Sequence, residues 1–303
     1  MVFNGADWDT VSERQRTLKA PIGCVGIGVH TGQRVRLRLV PAPSGHGIVF
    51  RRTDLGVDIP ARFDRVVDTR LCTVLGDDSR PPARVGTVEH LMAALFGCGI
   101  DNVLVEVDGP ELPILDGSAN PYVFLIDCAG VAELDAPRHA IEVRRTVRVS
   151  DGTAWAELRP LPTRGFEMAM SINFAASAIG SQALSLRLTP DSFRRELAAS
   201  RTFAMAADVE RLRESGLALG GSLDNAVVVD GAKVLNPAGL RRPDEFVRHK
   251  LLDAVGDLAL AGATIHARFV ASRSGHTLNN KLLHALFAEP DATQEIGALS
   301  QAA

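Results

Sequence analysis

His249, Asp253 and Asp257 follow one another at four-residue spacing within the stretch 244–261. A helix would carry all three on one face. A neutral imidazole and a carboxylate one turn apart are good donors to a divalent ion such as zinc. On an anonymous helix the same spacing would ordinarily mean a solvated face with a simple His249–Asp253 pair. Here Leu251, Leu252, Ala254, Val255 and Leu258 add a broad apolar surface, so part of the polar set should face the interior. A partly buried carboxylate without a partner is expensive, and a metal would satisfy both side chains. Glu89 and His90 open a second, shorter helical stretch. Adjacent helical residues point about 100° apart. The pair therefore cannot stack, but it can flank one ion, His90 binding it and Glu89 reaching its water. A glutamate in a first helical turn also has the plainer use of complementing the helix dipole. Together His90, His249 and Asp253 would leave a fourth coordination position open, as in a catalytic rather than a structural zinc site. Two histidines and a carboxylate suit iron(II) as well. The H-E-x-x-H string of zinc proteases does not occur.

Four further residues could serve such a centre. His276, in Ser274-Gly-His-Thr, reads as a turn histidine that could pass a proton near neutral pH, although a surface histidine is the commoner case. Lys250 could stabilise negative charge if it is not simply solvated. Thr202, in Ser200-Arg-Thr-Phe, could bond an oxyanion or cap a helix. His30 lies in the glycine-flanked turn Gly28-Val-His-Thr-Gly. His46, His139, His266 and His284 show no comparable grouping.

The elements that must position these residues are partly readable. Alternation from Val35 and the runs 47–52 and 102–107 read as strands. Thr87 would cap a helix over 88–96, closed by Gly97 and Gly99. A second helix spans 122–128, and helix signals stop at Glu133–Arg138. Strands follow at 140–149, 154–158 and 166–172, helices at 192–197 and 205–215, the clearest helix at 244–261, a strand at 264–271 and a last helix at 279–287. Val88–Gly97 can be laid on Val247–Gly256 with Val, His, Ala and Gly in register, each followed by a strand. Two halves built on related helix–strand units would explain the match.

The chain has 303 residues, 46% hydrophobic and 23% charged, which suits a globular protein of one or two domains. Its 33 basic and 36 acidic residues lack the basic excess of a general nucleic-acid binder. No apolar run approaches membrane-spanning length, and the polar first 20 residues carry no secretory signal. Cys24, Cys72, Cys98 and Cys128 are widely spaced, which argues against a disulfide scaffold and for a cytoplasmic protein.

Six strings stand in one order: Gly28-Val-His-Thr-Gly, Thr87-Val-Glu-His-Leu, Pro113-Ile-Leu-Asp-Gly-Ser-Ala, Ser200-Arg-Thr-Phe, the stretch from Asp244 to Leu258, and Ser274-Gly-His-Thr-Leu-Asn-Asn-Lys. Together they resemble the zinc-dependent UDP-3-O-acyl-N-acetylglucosamine deacetylases of lipid A synthesis, over residues 16–288. The resemblance implies an α+β fold of two similar two-layer α/β sandwich domains, with the active-site helices packed between the sheets. The expected divisions are a flexible extension 1–15, domains 16–135 and 139–288, and a tail 289–303. It further implies that His90, His249 and Asp253 bind Zn2+, that Glu89 is the general base and His276 the general acid oriented by Asp257, and that Thr202 and Lys250 support the oxyanion. The reaction so implied is hydrolysis of a 2-acetamido group. The substrate is a small UDP-sugar lipid, so the enzyme needs an apolar passage. Phe203, Met205 and Leu217 are its candidate lining, Leu212 is equally readable as helix core, and Arg273 could meet phosphate. Neither nucleic acid nor stable membrane insertion is implied, and a monomer is favoured. Ala204 stands where the family often has glycine, and Ala154 precedes Trp155 where some members carry lysine. Two other readings share these residues: a zinc amidohydrolase acting on another acylated sugar, and an inactive homologue that binds a nucleotide or a partner.

Overall fold

The structure is a computed structural model that describes residues 14–77 and 83–296. The first half runs β1 (Arg14–Leu18), β2 (Ile22–Ile27), β3 (Arg34–Pro41), β4 (Ile48–Arg52), β5 (Val57–Pro60), β6 (Val66–Asp68), β7 (Val74–Gly76), β8 (Arg84–Val85), α1 (Glu89–Gly97), β9 (Val103–Val107), α2 (Asn120–Ala129) and β10 (Val131–Pro137). The second runs β11 (Ala140–Val143), β12 (Val147–Asp151), β13 (Ala154–Arg159), β14 (Phe166–Asn173), β15 (Ser181–Leu188), α3 (Pro190–Ser192), β16 (Phe203–Met205), α4 (Ala206–Glu214), β17 (Val227–Asp230), β18 (Lys233–Val234), α5 (Glu245–Ala259), β19 (Thr264–Ser272), α6 (His276–Ala288) and β20 (Thr293–Ile296).

Alternation builds the sheets. In β3, Val35, Leu37 and Leu39 are buried while Arg34, Arg36 and Arg38 face water, the two-residue period of a half-covered sheet. The five-stranded sheet has the order β2-β3-β9-β4-β5. Within it β9 is antiparallel to β3 and parallel to β4. The second sheet contains the same path, β12-β13-β19-β14-β15, with β19 antiparallel to β13 and parallel to β14. In each half the central strand directly follows a helix, α1 before β9 and α5 before β19. Each half also carries a small three-stranded sheet between its second hairpin and that helix: β6-β7-β8 in the first, β16-β17-β18 in the second. The 88–97 and 247–256 match is thus the sequence trace of a repeated topology.

The two repeated helices are enclosed rather than amphipathic. Every residue of α1 except Phe96 is buried, and every residue of α5 except Lys250. They pack on each other, and α5 also lies on β14 and β15. A helix buried on all sides takes its stability from packing, and its polar residues must find internal partners.

Several local expectations are corrected. Thr87 does not cap α1: its φ of 57° places it in the left-handed region, and Val88 holds the cap position without a side-chain bond. The Thr87 hydroxyl instead donates to Glu111 Oε1 at 3.1 Å. His276 is not in a turn but is the first residue of α6, which begins three residues before the expected helix because Asn279 N–H bonds the Gly275 carbonyl. Residues 193–197 form a π-helical turn. The stretch 140–149 divides into β11 and β12, and Met205 ends β16 rather than opening α4. The expected extension 1–15 lies outside the described residues as far as residue 13, while Arg14 and Gln15 belong to β1, which pairs with β10. Within the expected tail, β20 pairs with β11.

Candidate active site

Gly256 brings the two enclosed helices together. A Cβ there would stand 2.0 Å from the Glu89 carbonyl oxygen, so only glycine permits the approach. This contact sets Glu89 and His90 of α1 beside Asp253 and Asp257 of α5. His90, His249 and Asp253 are buried, and one donor atom from each lies within 4.8 Å of the others. Asp253 Oδ1 is 3.3 Å from His249 Nε2 and 3.6 Å from His90 Nε2. The two imidazole rings meet edge-on, 5.1 Å apart at 83°. His249 Nδ1 is 3.1 Å from the Ser200 carbonyl oxygen. A carbonyl can only accept, so Nδ1 carries the proton and Nε2 is left as a bare acceptor.

Asp253 Oδ2 accepts Lys250 Nζ at 3.0 Å. Asp253 Oδ1, although buried, accepts no hydrogen bond among the described residues. A buried carboxylate oxygen that faces the bare Nε2 of His249 and takes no hydrogen bond calls for a cation. Two nitrogens and one oxygen fit a divalent ion of borderline softness. The electrostatics agree. Burial opposes the charge on Asp253, but His249 and Lys250 outweigh it and hold the carboxyl well below its ordinary range. Burial drives His249 down to about 4 against the pull of Asp253, which keeps it in the neutral, ligating form. Burial also works against the Lys250 ammonium, yet Asp253 and its hydrogen bond raise it above its ordinary value.

Glu89 and His276 flank this donor set. Glu89 Oε2 accepts the backbone N–H of Thr73 at 3.0 Å. Burial raises the Glu89 pKa, with His276 the main opposing charge. His276 Nδ1 is 2.9 Å from Asp257 Oδ2. Asp257 also accepts the Thr73 hydroxyl at 2.6 Å and Asn279 Nδ2 at 2.8 Å. Burial disfavours the imidazolium, but the Asp257 charge and hydrogen bond, with Glu89 behind them, lift His276 to about 9. A carboxylate of raised basicity and an imidazolium beside one donor set have the protonation chemistry that acid–base catalysis requires.

A cavity of about 770 Å³ opens on Glu89, His90, His249, Asp253 and His276. The inserts of both halves complete its wall: Leu71 and Cys72 from the first, Thr202, Phe203 and the α4 residues Val209 and Leu212 from the second. Phe203 packs edge-on against Phe246, 5.0 Å away, and lies 6.1 Å from the His249 ring. A buried ion pair holds this segment: Glu245 Oε1 accepts both the backbone N–H and Nε of Arg201, at 3.0 and 2.9 Å.

Of the sequence candidates, Glu89, His90, Thr202, Phe203, His249, Asp253 and His276 therefore meet at one cavity, and His30 lines it too. Lys250 and Asp257 stand behind it, bonded to Asp253 and His276. Met205 and Leu217 are half-buried and outside its lining, with Met205 packed on the core. Arg273 is exposed and donates to Thr153 Oγ1 at 3.1 Å. Sequence reasoning passed over Thr73, Asn279, the Ser200 carbonyl and the Arg201–Glu245 pair. Asn279 follows His276 at helical spacing, a signal that becomes visible only once α6 is known to begin at His276.

A buried set of two histidines and an aspartate beside a glutamate and a third histidine has the composition of a metal-dependent hydrolase site. The family model for UDP-3-O-acyl N-acetylglycosamine deacetylase matches residues 15–288. A UDP-3-O-acyl-N-acetylglucosamine deacetylase of Myxococcus xanthus is 50% identical over 289 residues, 95% of this chain and 90% of that protein. One of Idiomarina loihiensis is 50% identical over 283 residues, 92% of this chain and 91% of its own length. The chain belongs to the UDP-3-O-acyl-N-acetylglucosamine deacetylase family, a family of metalloenzymes.

Proposed function

We propose that this chain hydrolyses the 2-acetamido group of UDP-3-O-acyl-N-acetylglucosamine, releasing acetate and the free amine, as a step of lipid A biosynthesis. The observation that carries the reading is the convergence of His90, His249 and the unpartnered Asp253 Oδ1 at the cavity that Glu89 and His276 also face. His90, His249 and Asp253 would hold Zn2+, and Lys250, by occupying Oδ2, leaves Oδ1 to the ion. When bound, the ion supplies Lewis-acid charge that polarises the amide carbonyl and acidifies water.

The protein's own groups do the rest. Glu89, fixed by the Thr73 N–H, takes the proton of the attacking water. The Thr202 hydroxyl at the cavity wall supports the charge that develops on the amide oxygen. His276, kept protonated by Asp257, gives its proton to the departing nitrogen. The apolar wall formed by Phe203, Val209, Leu212 and Val228 is where the acyl chain lies. Among the described residues no helix is long and apolar enough to cross a membrane, in keeping with work in the cytoplasm on a diffusible UDP-sugar.

Parallel assays on the acylated UDP-sugar and on UDP-N-acetylglucosamine test the substrate assignment. Turnover of the first should be much the faster; equal turnover of both would overturn the acyl-passage reading.

A further inference from the structure

Thr73 lies in the short connection between β6 and β7 and is 1% exposed. Its three polar groups all reach the catalytic helices. The N–H donates to Glu89 Oε2 at 3.0 Å, the hydroxyl donates to Asp257 Oδ1 at 2.6 Å, and the carbonyl accepts Val88 N–H, at the cap of α1, at 3.3 Å. One residue of the first half's insert thus touches the base on α1 and, on α5, the carboxylate that holds His276.

We propose that Thr73 is a positioning residue for the deacetylation: its backbone N–H fixes Glu89, and its hydroxyl fixes Asp257 and through it His276. The role rests on the functional reading above. In that reaction Glu89 and His276 serve one amide from two sides, the first receiving a proton and the second giving one, so their separation must suit a single substrate pose. The two groups stand on different helices and share no direct bond. Thr73 is the one residue hydrogen-bonded to both Glu89 and Asp257 among the described residues. It also places a donor on each of two buried carboxylates that would otherwise repel. Asp257 has two further anchors, His276 Nδ1 and Asn279 Nδ2, both on α6. The Thr73 hydroxyl is the anchor that ties it toward the α1 side. Without that hydroxyl, Oδ1 of Asp257 keeps only the longer contact to His276 Nδ1, at 3.2 Å, and the carboxylate, held from the α6 side alone, can turn about its Cβ and carry the imidazole with it.

The test is steady-state kinetics of the metal-loaded full chain on the acylated UDP-sugar, for the wild type and for Thr73→Val, Thr73→Ala and Thr73→Ser. Metal content and thermal midpoint are measured alongside. The valine variant keeps the shape and removes the hydroxyl; the alanine variant does so without placing a methyl against Asp257, should valine not fold. Both should lose about 10- to 100-fold in kcat, the usual cost of removing an orienting partner. KM should stay within about twofold and the metal content unchanged, and Thr73→Ser should recover most of the rate. In an Asp257→Asn background the loss should shrink, because both changes act on one group. A serine variant as slow as alanine, an undiminished kcat in valine, or a loss unchanged in the Asp257→Asn background would overturn the role. If the wild type itself releases no amine, the functional reading fails and the role falls with it. Wild-type turnover beside an unimpaired valine variant overturns the role alone.

Discussion

Glu89 is buried and His276 half-buried, and the loss of water alone would disfavour the charge on both. The Asp257 carboxylate lifts His276 to about 9, while Glu89 is raised by its burial. The proposed mechanism needs Glu89 without its proton and His276 with one. The rate should therefore rise with pH as Glu89 ionises, above the ordinary carboxylate range, and fall as His276 deprotonates. His276→Gln should lose the alkaline fall, and a variant profile parallel to the wild type would contradict the acid assignment. The same charge bears on stability in metal-free protein. The folded pKa of about 9 lies above the ordinary value of 6.5, so the stabilisation is fully present below pH 6.5 and is lost as pH rises through about 9. Glu89→Gln should keep its metal and lose about 10²- to 10⁴-fold in kcat, whereas His249→Ala should lose metal and activity together. Metal analysis beside kinetics separates the two. The spacing of His249, Asp253 and Asp257 made these residues legible, because a helix converts sequence spacing into one face. Thr73 was not legible: half of its role runs through a backbone N–H, which any residue but proline carries.

The elements reach their places through close approach as much as through hydrophobic pattern. Gly256 lies on the Glu89 carbonyl, and at the other end of α1 a Cβ at Gly97 would stand 2.3 Å from the Phe193 ring. Gly256→Ala should push α1 away from α5, cost about 1–3 kcal/mol of stability and lower kcat by moving Glu89 and His90. A thermal midpoint and a rate equal to the wild type would show that the interface can yield. α5 and β3 were legible because their patterns run for several periods. The start of α6 was not, because Gly275 and Ser274 read as a turn until the Asn279 N–H bond to Gly275 is seen. Thr87 looked like a cap by type alone, but its left-handed backbone turns the hydroxyl to Glu111 instead.

At the scale of the molecule, two copies of one strand order meet helix to helix, and the donor set forms only where they meet. His90 comes from the first half and His249 and Asp253 from the second. Further ties cross the junction: Thr73 to Asp257, and Leu219 and Gly220 N–H to the carbonyls of His30 and Val29. The repeat was faintly legible in the 88–97 and 247–256 match. The inserts were not, since β6-β7-β8 and β16-β17-β18 are built of strands two to four residues long, too short for a period to show. The central claim is that this junction is a metal-dependent amide-hydrolysing site. Its most direct test is free-amine release from UDP-3-O-acyl-N-acetylglucosamine by the purified chain, before chelation, after it and after restoring Zn2+. Release that disappears with the chelator and returns with Zn2+ is the expected result. Release untouched by the removal of bound metal, or none from folded, zinc-loaded protein, would contradict it.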